Sequence, residues 1–395
     1  MSTERKEAII RGLKSFDYLL ALVVIAVSAF GVVMIYTSTN HVGMPMQVQM
    51  SFGHLWTLQR VHVITGVFVM ILFACIDYRF IGRFYLIIYG LTMVLLIALA
   101  IIGPDETNTA RWLPIPIPGF ASPFSLQPSE FAKIFMIIFL AKFLEVKKDD
   151  FNRVLWLGLV LLSIGVPVAL IAMQPSLSAS LVILFASLAV LFAAGLKFRY
   201  IVIGVLIVSA AFAFLWLEFQ RDEPLILYRV LRDYQVDRVR TILYPDGNPD
   251  GAWQAGLSVR AIAAGGLTGR GFMNNQIYIA VAHNDFIFAV IAEQFGFAGV
   301  AVLLGATLFI IVKCILIALR AVDLQGRLIA AGVAGMMLFE TFVHVGVGAG
   351  FLPTTGMPFP FVSYGGSMIW VHMMAIGMVI NVGLNRDHEE LDEEY

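Results

Sequence analysis

The chain contains few charged residues and almost no cysteine. Charged side chains make up 13% of the 395 residues, whereas soluble domains have roughly 25%. The two cysteines, Cys75 and Cys314, both lie in apolar runs, so we expect two buried thiols and no disulfide. The net charge of −1 does not favour nucleic acid as a partner, and no spacing of cysteine and histidine is typical of a metal cluster.

Apolar residues dominate the sequence and occur in long runs. They make up 59% of the chain, and the mean hydropathy is +0.86. Since a membrane-spanning helix needs about 20 apolar residues, we predict an all-α polytopic membrane protein with about ten transmembrane helices and a long outer loop between the seventh and the eighth. The predicted spans are 17–37, 61–77, 84–103, 128–145, 153–173, 178–196, 200–218, 297–319, 328–349 and 367–385.

Basic residues cluster at alternating ends of these spans, which indicates the orientation of the chain. The clusters include Lys14, Arg79, Lys147, Lys197, Arg320 and Arg386. We therefore predict that both termini are cytoplasmic. The chain is expected to be a single membrane domain over 1–395, with a cytoplasmic N-terminus at 1–16, a long extracytoplasmic loop at 219–285 and a cytoplasmic tail at 386–395, whose acidic composition predicts disorder.

One segment near the C-terminus cannot be a membrane helix. Residues 352–367 contain three prolines, three glycines and four serines or threonines between two apolar runs. Proline lacks the N–H group and glycine adds backbone freedom, and irregular backbone at membrane depth is tolerated only where it is buried in protein or lines a cavity. Because 104–133 and 219–285 fall on the same side of the predicted membrane, we expect the function at this outer face, around a polar pocket.

The apolar run 286–319 is too long for one ordinary span. It has 34 residues and is interrupted by Glu293-Gln-Phe-Gly296-Phe-Ala-Gly299. We predict a short helix from 285 to about 295, a turn at the glycines, and then the eighth span.

Several ionisable residues lie at or near membrane depth. Asp285 stands at the start of the short helix, where an aspartate is an ordinary N-cap, but a carboxylate at an outer cavity could also act as a general base. Glu130 and Lys133, at the start of the fourth span, are either functional or a structural ion pair. Glu293 and Glu340 would suit the proton relay of a transporter, unless internal partners satisfy them.

Four arginines of the outer regions are candidates for binding phosphate, because arginine makes bidentate contacts with phosphate oxygens; they are Arg111, Arg238, Arg240 and Arg270. Arg270 lies in the glycine-rich stretch Gly265-Gly-Leu-Thr-Gly-Arg-Gly271, whose backbone N–H groups could approach an anion. A plain loop explains these glycines equally well, and surface arginines are usually solvated or paired. His344 and His372 are predicted to be packed or hydrogen-bonded helix residues rather than metal ligands.

Six stretches along the chain form a recognisable set of motifs. They are Ala110-Arg-Trp112, Gln127-Pro-Ser-Glu-Phe-Ala-Lys133, Gln174-Pro175, Gly265-Gly-Leu-Thr-Gly-Arg-Gly271, His283-Asn-Asp-Phe-Ile-Phe288 and Pro358-Phe-Pro-Phe-Val-Ser-Tyr-Gly-Gly-Ser367. On these motifs the chain resembles the SEDS proteins (shape, elongation, division and sporulation), the polytopic peptidoglycan glycosyltransferases typified by RodA and FtsW. Asp233-Tyr-Gln235 followed by Arg238-Val239 looks closer to RodA.

The resemblance implies a lipid II polymerase at the outer face of the bacterial cytoplasmic (inner) membrane, which serves cell-wall elongation and cell shape. The 4-hydroxyl of N-acetylglucosamine in one lipid II would attack the anomeric carbon of N-acetylmuramic acid in another. A β-1,4 bond would form with inversion, and undecaprenyl pyrophosphate would leave. The implied partners are lipid II, membrane lipid, a class B penicillin-binding protein that supplies transpeptidation, and other membrane proteins of the elongation complex.

The resemblance also implies roles for individual residues. Asp285 matches the essential aspartate of the family and is expected to be the catalytic general base. Arg111 matches a motif arginine, and Glu130 and Lys133 match a motif pair. The residues expected in substrate binding are Arg111, Glu130, Lys133, Arg238, Arg270, His283, Ser363 and Tyr364. No cofactor is assigned, and a divalent cation, Mg²⁺ or Mn²⁺, is left open as an aid in offsetting charge on the pyrophosphate.

The chain departs from the family pattern at four places. Ser176 stands where the family has aspartate, Ala280-Val281 where it has Pro-Glu, Asn284 where threonine is usual and His344 where asparagine is usual. The lost carboxylates keep open the alternative of an inactive scaffold for a penicillin-binding protein. The glutamates within apolar runs keep open a lipid II flippase, which should need charges along a path through the bilayer. The polar segments cluster on one face, which favours chemistry at that face.

Overall fold

The structure is a computed structural model that describes residues 16–40, 52–102, 112–115, 124–148, 150, 153–174, 176–219, 236 and 249–392. The predicted phosphate-binding residues Arg111, Arg238 and Arg240 lie outside these residues, and so does much of the predicted loop 219–285. Their predicted roles stay predictions.

The described part of the chain is helical, as the sequence predicts. In chain order the helices are α1 (Tyr18–Thr39), α2 (Leu55–Cys75), α3 (Tyr78–Gly82), α4 (Tyr85–Ile102), α5 (Pro128–Val146), α6 (Val154–Met173), α7 (Leu177–Ala193), α8 (Phe198–Phe219), α9 (Pro249–Gly265), α10 (Ile287–Arg320), α11 (Leu324–Gly348) and α12 (Gly366–Asp392). All of them except α3 and α9 coincide with a predicted span.

Six helices of the described residues are long and apolar enough to cross a membrane: α1, α2, α6, α10, α11 and the part Gly366–Asn385 of α12. Apolar stretches of α4 (Tyr85–Ile101) and α7 (Leu177–Ala193) are shorter. The chain is therefore an all-α, multi-pass membrane protein. The number of ten crossings remains a prediction.

One small strand pair accompanies the helices. Strands β1 (Leu113–Ile115) and β2 (Phe124–Leu126) pair in the antiparallel sense. The pair leads into α5, which begins at Pro128. Proline fits at the first helical position because the N–H group there has no partner within the helix.

Helix α12 lies at the centre of the described bundle. It packs along α2 and also contacts α5, α10 and α11, and its side chains from Met368 to Val382 are almost all buried. Gly377 permits the close approach of α2, since a Cβ there would lie 2.3 Å from the Met70 carbonyl oxygen. The backbone of α12 is helical through Asp392, and the predicted disorder of the tail stays a prediction.

The prediction of two buried thiols is wrong for one of them. Both cysteines are free, but Cys314 is buried and Cys75, the last residue of α2, is exposed. Cys75 stands where the apolar run ends, near Asp77 and Arg79, so its position in that run does not bury it.

Helix α10 is broken at Gly296, as the sequence predicts. Gly296 has φ 63° and ψ −162°, a conformation that is essentially restricted to glycine. The break divides a short first part, beginning at Ile287, from a long part that ends at Arg320. It also lets the glycine-rich stretch 265–271 approach, since a Cβ on Gly296 would lie 2.4 Å from the Gly269 nitrogen. The predicted short helix and turn are confirmed.

Helix α9 lies within the segment that the sequence predicts to be a long loop. It packs against α10 and α11, and Ser258 Oγ donates to the Gly348 carbonyl oxygen over 2.7 Å. The segment 219–285 is therefore not irregular throughout. Its residues 249–265 form a helix that packs against the end of α11.

Candidate active site

Three segments meet at one end of the bundle: the start of α2, the residues before α10, and the irregular segment between α11 and α12. The fully buried Gln59 of α2 joins this irregular segment, because its Nε2 donates to the Ser363 carbonyl oxygen and its Oε1 accepts from the Gly365 N–H, both over 3.1 Å. The Tyr364 N–H donates to the His283 carbonyl oxygen over 2.9 Å. We call this meeting place the candidate site.

Ser363 holds the turn of the irregular segment. Its hydroxyl accepts from the Phe359 N–H over 2.8 Å and donates to the Asn284 carbonyl oxygen over 2.7 Å, and the residue is fully buried. Helix α1 touches the same turn at Gly31, where a Cβ would lie 2.7 Å from Val362 Cα. Ser363 therefore positions the backbone of the site, and its predicted contact with substrate stays a prediction.

The side chain of Asp285 is half-buried at this junction. The N-cap of α10 is Phe286, with no side-chain cap hydrogen bond, so the interpretation of Asp285 as the N-cap is wrong. Gly356 of the irregular segment faces the carboxylate, since a Cβ built there would lie 3.7 Å from Asp285 Oδ2. Its φ of +67° is one that glycine adopts without strain. The space before the carboxylate thus depends on a residue without a side chain.

The turn that carries Asp285 is strained. Val281 has φ +57°, which is a genuine outlier for a β-branched residue. Its carbonyl oxygen accepts from the N–H groups of Asn284 (3.0 Å) and Asp285 (3.3 Å), and these bonds hold both residues in place. Strain of this kind is typical of functional sites, where the surrounding structure enforces an unfavourable backbone.

Aromatic and imidazole rings line the site next to this turn. The His283 ring lies 5.3 Å from Phe52 and 5.9 Å from Tyr364, which in turn lies 6.2 Å from His62. Burial lowers the pKa of His283 to about 4 and raises the pKa of Tyr364. At neutral pH the imidazole of His283 is therefore uncharged and the Tyr364 phenol keeps its proton.

A buried cluster of charged residues joins α5, α11 and α12. Lys133 Nζ lies 2.8 Å from Glu130 Oε1 and 2.7 Å from Glu340 Oε1, and His372 Nε2 lies 2.6 Å from Glu340 Oε2. None of the four residues is more than 5% exposed. The predicted pair of Glu130 and Lys133 is thus present, and Glu340 has internal partners that the sequence did not identify. We call these four residues the ion cluster.

The ion cluster lies within about two helical turns of the candidate site. The Gln127 N–H donates to Ser367 Oγ over 3.1 Å, so α5 and α12 begin at the same level. Lys133 and His372 follow these two residues by six and five positions, which is roughly 8 Å along a helix. The His372 ring packs edge-on against Phe361 of the irregular segment at 5.4 Å. The cluster therefore supports that segment from within the bundle.

Comparison with known proteins decides the family. A protein-family model described as cell cycle protein, FTSW_RODA_SPOVE, matches residues 17–388. The chain belongs to the FtsW, RodA and SpoVE family. It is 30% identical over 381 residues to a probable peptidoglycan glycosyltransferase FtsW of Trichlorobacter lovleyi, with 94% of this chain and 93% of that protein covered. It is 32% identical over 328 residues to the peptidoglycan glycosyltransferase MrdB of Escherichia coli, with 81% and 83% covered.

Solved structures have the same fold. One match is a chain of a solved structure described as "Structural coordination of polymerization and crosslinking by a peptidoglycan synthase complex". It matches with a TM-score of 0.75 at 28% identity, over 94% of this chain and 98% of that chain. The rod shape determining protein RodA of Thermus thermophilus matches with a TM-score of 0.66 at 25% identity, over 94% and 97%. The helical architecture is therefore that of the FtsW, RodA and SpoVE family.

In this family member the glycine-rich stretch packs against α10. The Arg270 N–H donates to the Glu293 carbonyl oxygen over 2.9 Å, and the Gly271 N–H donates to the Gln294 carbonyl oxygen over 3.0 Å. These N–H groups are engaged by carbonyls, so they do not form the anion cradle that the sequence left open. The exposed Arg270 side chain donates to the Gln276 side chain, and its predicted role in phosphate binding stays a prediction.

Two side chains of the site were missed in the sequence. Gln59 and His62 both lie in α2, and a polar residue in an apolar span is itself a functional signal. The His62 ring packs on the first residue of α12, since its Nε2 lies 2.9 Å from the position of a Cβ on Gly366. His62 lies inside the predicted span 61–77 and Gln59 lies just before it, and the apolar runs that predict the spans assign no role to either residue.

The residues that the structure describes contain no group of three or more histidine, cysteine, aspartate or glutamate side chains placed to hold a metal ion. The possible divalent cation, Mg²⁺ or Mn²⁺, stays a prediction of the sequence.

Proposed function

We propose that this chain is a peptidoglycan glycosyltransferase that polymerises lipid II into β-1,4-linked glycan strands. Its relatives of the FtsW and MrdB type carry the name peptidoglycan glycosyltransferase and match over most of the chain. The observation that carries the proposal is the half-buried Asp285, which faces Gly356 where three segments meet.

Asp285 acts as the general base in this proposal. Its carboxylate takes the proton of the 4-hydroxyl of the acceptor N-acetylglucosamine while that oxygen attacks the anomeric carbon of the donor N-acetylmuramic acid. The bond from the anomeric carbon to undecaprenyl pyrophosphate breaks on the opposite face of the ring, and the pyrophosphate leaves with the electron pair. The new β-1,4 bond therefore forms with inversion.

The rings beside Asp285 suit a neutral sugar. His283 is uncharged at neutral pH because burial lowers its pKa to about 4, so it does not neutralise the carboxylate. Burial raises the pKa of Tyr364, so its phenol remains a hydrogen-bond donor for a hydroxyl or an amide oxygen of the substrate. We assign these two residues to orienting the disaccharide.

The remaining predicted residues divide into two groups. Glu130, Lys133 and Ser363 are at most 5% exposed, so we assign them to positioning the site rather than to contact with substrate. Arg111, Arg238 and Arg270 are the arginines that we assign to the pyrophosphate, because guanidinium groups bind phosphate oxygens in bidentate fashion and offset charge on a leaving group.

We further place the chain in the bacterial cytoplasmic (inner) membrane, with both termini in the cytoplasm and the site at the outer face. The alternation of basic residues along the spans supports this orientation. The likeness to a chain of a peptidoglycan synthase complex supports a class B penicillin-binding protein as partner, together with other membrane proteins of cell-wall elongation and cell shape.

The geometry favours glycosyl transfer over lipid II transport. A flippase would need ionisable groups along a path through the bilayer. Glu340 is held between Lys133 and His372, and Glu293 Oε1 accepts from two backbone N–H groups over 2.8 Å and 3.2 Å. Both glutamates have fixed internal partners, which argues against a proton relay.

The test is polymerisation of purified lipid II by the chain co-purified with its penicillin-binding protein, whose own site is blocked by a β-lactam. Three forms are compared: wild type, Asp285→Asn and Asp150→Asn. Asp150 is the matched control, since its carboxylate pairs with Arg153 at 3.0 Å on the surface. We expect polymer from wild type and Asp150→Asn, and a rate at least about 100-fold lower from Asp285→Asn.

The other outcomes are equally informative. Equal polymer from Asp285→Asn and wild type would remove Asp285 from the mechanism. No polymer from wild type, with the partner bound and the protein folded, would favour the flippase or the scaffold.

A further inference from the structure

The two ring nitrogens of His372 both face hydrogen-bond acceptors. Nδ1 lies 2.8 Å from the Met368 carbonyl oxygen, which can only accept, so Nδ1 carries a hydrogen. Nε2 lies 2.6 Å from Glu340 Oε2. In a neutral imidazole with its hydrogen on Nδ1, the lone pair of Nε2 would face the lone pairs of a carboxylate. One more proton must therefore lie between Nε2 and Oε2, on either atom.

This proton decides the charge of the ion cluster. The other oxygen of Glu340 faces Lys133 Nζ at 2.7 Å, and Lys133 also pairs with Glu130. With the proton, Glu130 and Lys133 cancel and the pair of Glu340 and His372 is neutral, so the charges sum to zero. Without it the buried cluster carries one net negative charge, which is costly in a protein interior.

We propose that Glu340 and His372 share one buried proton that makes the ion cluster neutral, and that this pair positions the irregular segment beside Asp285. The link is the Phe361 ring, which packs edge-on against His372 at 5.4 Å. Phe361 has φ +64°, which an ordinary residue keeps only when its surroundings enforce it. The effect of the pair on the segment beside Asp285 rests on the proposed function, whereas the shared proton does not.

The surroundings of the pair identify which groups can influence it. From α5 the cluster receives Glu130 and Lys133. On α11 the nearest other titratable residue is His344, one turn beyond Glu340, whose Nδ1 lies 2.7 Å from the Met357 carbonyl oxygen. Helix α2 contributes His62, which packs at the first residue of α12.

The shared proton predicts an order of stability among variants that the loss of hydrogen bonds alone does not predict. In Glu340→Gln, Lys133 and Glu130 still cancel, and the new amide can donate to the lone pair of a neutral His372. In His372→Asn, Glu340 and Glu130 share one lysine, and the cluster is left with a net negative charge. Removing the imidazole should therefore destabilise the protein more than removing the carboxylate. In the double variant Glu340→Gln with His372→Asn the ion cluster is neutral again, so this variant should be more stable than His372→Asn alone.

The pH dependence has a defined sign. In His372→Asn the cluster becomes neutral only if Glu340 takes up a proton of its own from solution. The folded state then binds more protons than the unfolded state, so its stability falls as pH rises. In wild type the shared proton is also taken up from solution above the ordinary pKa of histidine, about 6.5, because the unfolded chain then holds an ionised glutamate and a neutral imidazole. Wild type should therefore show a slope of the same sign, whereas Glu340→Gln and the double variant hold a neutral cluster without any proton uptake and should lack it.

The experiment uses the full chain, purified with its penicillin-binding protein, as wild type, both single variants, the double variant and Glu145→Gln. Glu145 is the matched control, because it pairs with Lys142 in α5 but both side chains are 25% exposed. Melting temperature is measured between about pH 6 and 9, and kcat and KM for lipid II are measured well below each melting temperature.

We expect His372→Asn to melt at least about 5 °C below wild type. The melting temperature of wild type should fall as pH rises above about 6.5, and that of Glu340→Gln should not. Glu340→Gln and the double variant should lose less than half of this, and Glu145→Gln should match wild type. For polymerisation, His372→Asn should lose about tenfold or more in kcat with little change in KM, increasingly so as pH rises. The double variant should recover most of that rate.

Two results would overturn the proposal. If the losses of the single variants add in the double variant, or if wild type and Glu340→Gln show the same slope of melting temperature with pH, no shared proton neutralises the cluster. If His372→Asn melts early but keeps the wild-type kcat, the pair does not position the site. A failure of the proposed function looks different: wild type would then make no polymer while the pattern of melting temperatures persisted, and the positioning role would fall with that function.

Discussion

At the scale of single residues, the proposed general base depends on the glycine that faces it. Gly356 has φ +67°, and a Cβ there would lie 3.7 Å from Asp285 Oδ2 and 3.9 Å from Oδ1. We expect Gly356→Ala to lose about 1–2 kcal/mol of stability from backbone strain. Its polymerisation rate should fall by about tenfold or more, because the methyl group occupies the approach to the carboxylate. Thermal unfolding and the lipid II assay measure the two effects separately.

Gly350 provides the control for backbone strain alone. It lies in the same irregular segment with φ +78°, and a Cβ there would meet the Val259 side chain at 2.9 Å rather than a carboxylate. Gly350→Ala should therefore lose comparable stability but keep a rate near that of wild type. Equal losses of rate in the two variants would mean that Gly356 serves the backbone and not the approach to Asp285.

At the scale of elements, the break in α10 determines how the chain packs at this end of the bundle. A Cβ on Gly296 would lie 2.4 Å from the Gly269 nitrogen and 2.6 Å from the Leu267 carbonyl carbon. Backbone atoms cannot rotate away as a side chain can, so Gly296→Ala must displace the glycine-rich stretch as well as strain the helix. We expect a loss of at least about 3 kcal/mol, seen as a lower melting temperature and faster proteolysis within 265–271.

The control for this prediction lies further along the same helix. Gly305 of α10 would place a Cβ in open space, with nothing within 4 Å. Alanine is a better helix former than glycine by up to about 1 kcal/mol, so Gly305→Ala should be neutral or slightly stabilising. If both variants behaved alike, the close packing at Gly296 would not be important for stability.

The same element shows what local sequence can and cannot predict. The break at Gly296 could be predicted because an overlong apolar run with clustered glycines is a local pattern. Helix α9 was not predicted, because it is shorter than a span and its mixed composition gives no clear amphipathic pattern. The partners of Glu340 were missed for another reason: Lys133 lies 207 positions away, and no periodicity connects residues at that distance. Tertiary contacts decide such pairs.

At the scale of the whole molecule, the two ends of the bundle differ in the ionisable groups that they present. The end opposite the candidate site carries part-buried ion pairs, of Arg79 with Asp323 at 2.7 Å and of Lys313 with Asp17 at 2.6 Å. The site end presents an uncharged His283 and a protonated Tyr364 near Asp285. Basic residues gather at the cytoplasmic ends of spans, so the position of Arg79 and Lys313 agrees with the proposed orientation, in which the chemistry takes place outside.

The native cysteines allow the orientation to be measured directly. Cys75 is exposed at the last residue of α2, at the basic end, whereas Cys314 is buried. A membrane-impermeant maleimide should therefore label the wild type in inside-out vesicles but not in intact cells, and Cys75→Ser should remove that signal. In the Cys75→Ser background, Gly256→Cys places a thiol on α9, where a side chain meets open space. It should label from outside in cells whose outer envelope is removed. Labelling of both positions from the same side would contradict the orientation. Helix α9 would then lie at the same face as the basic end, and the site could not reach lipid II on the outer leaflet.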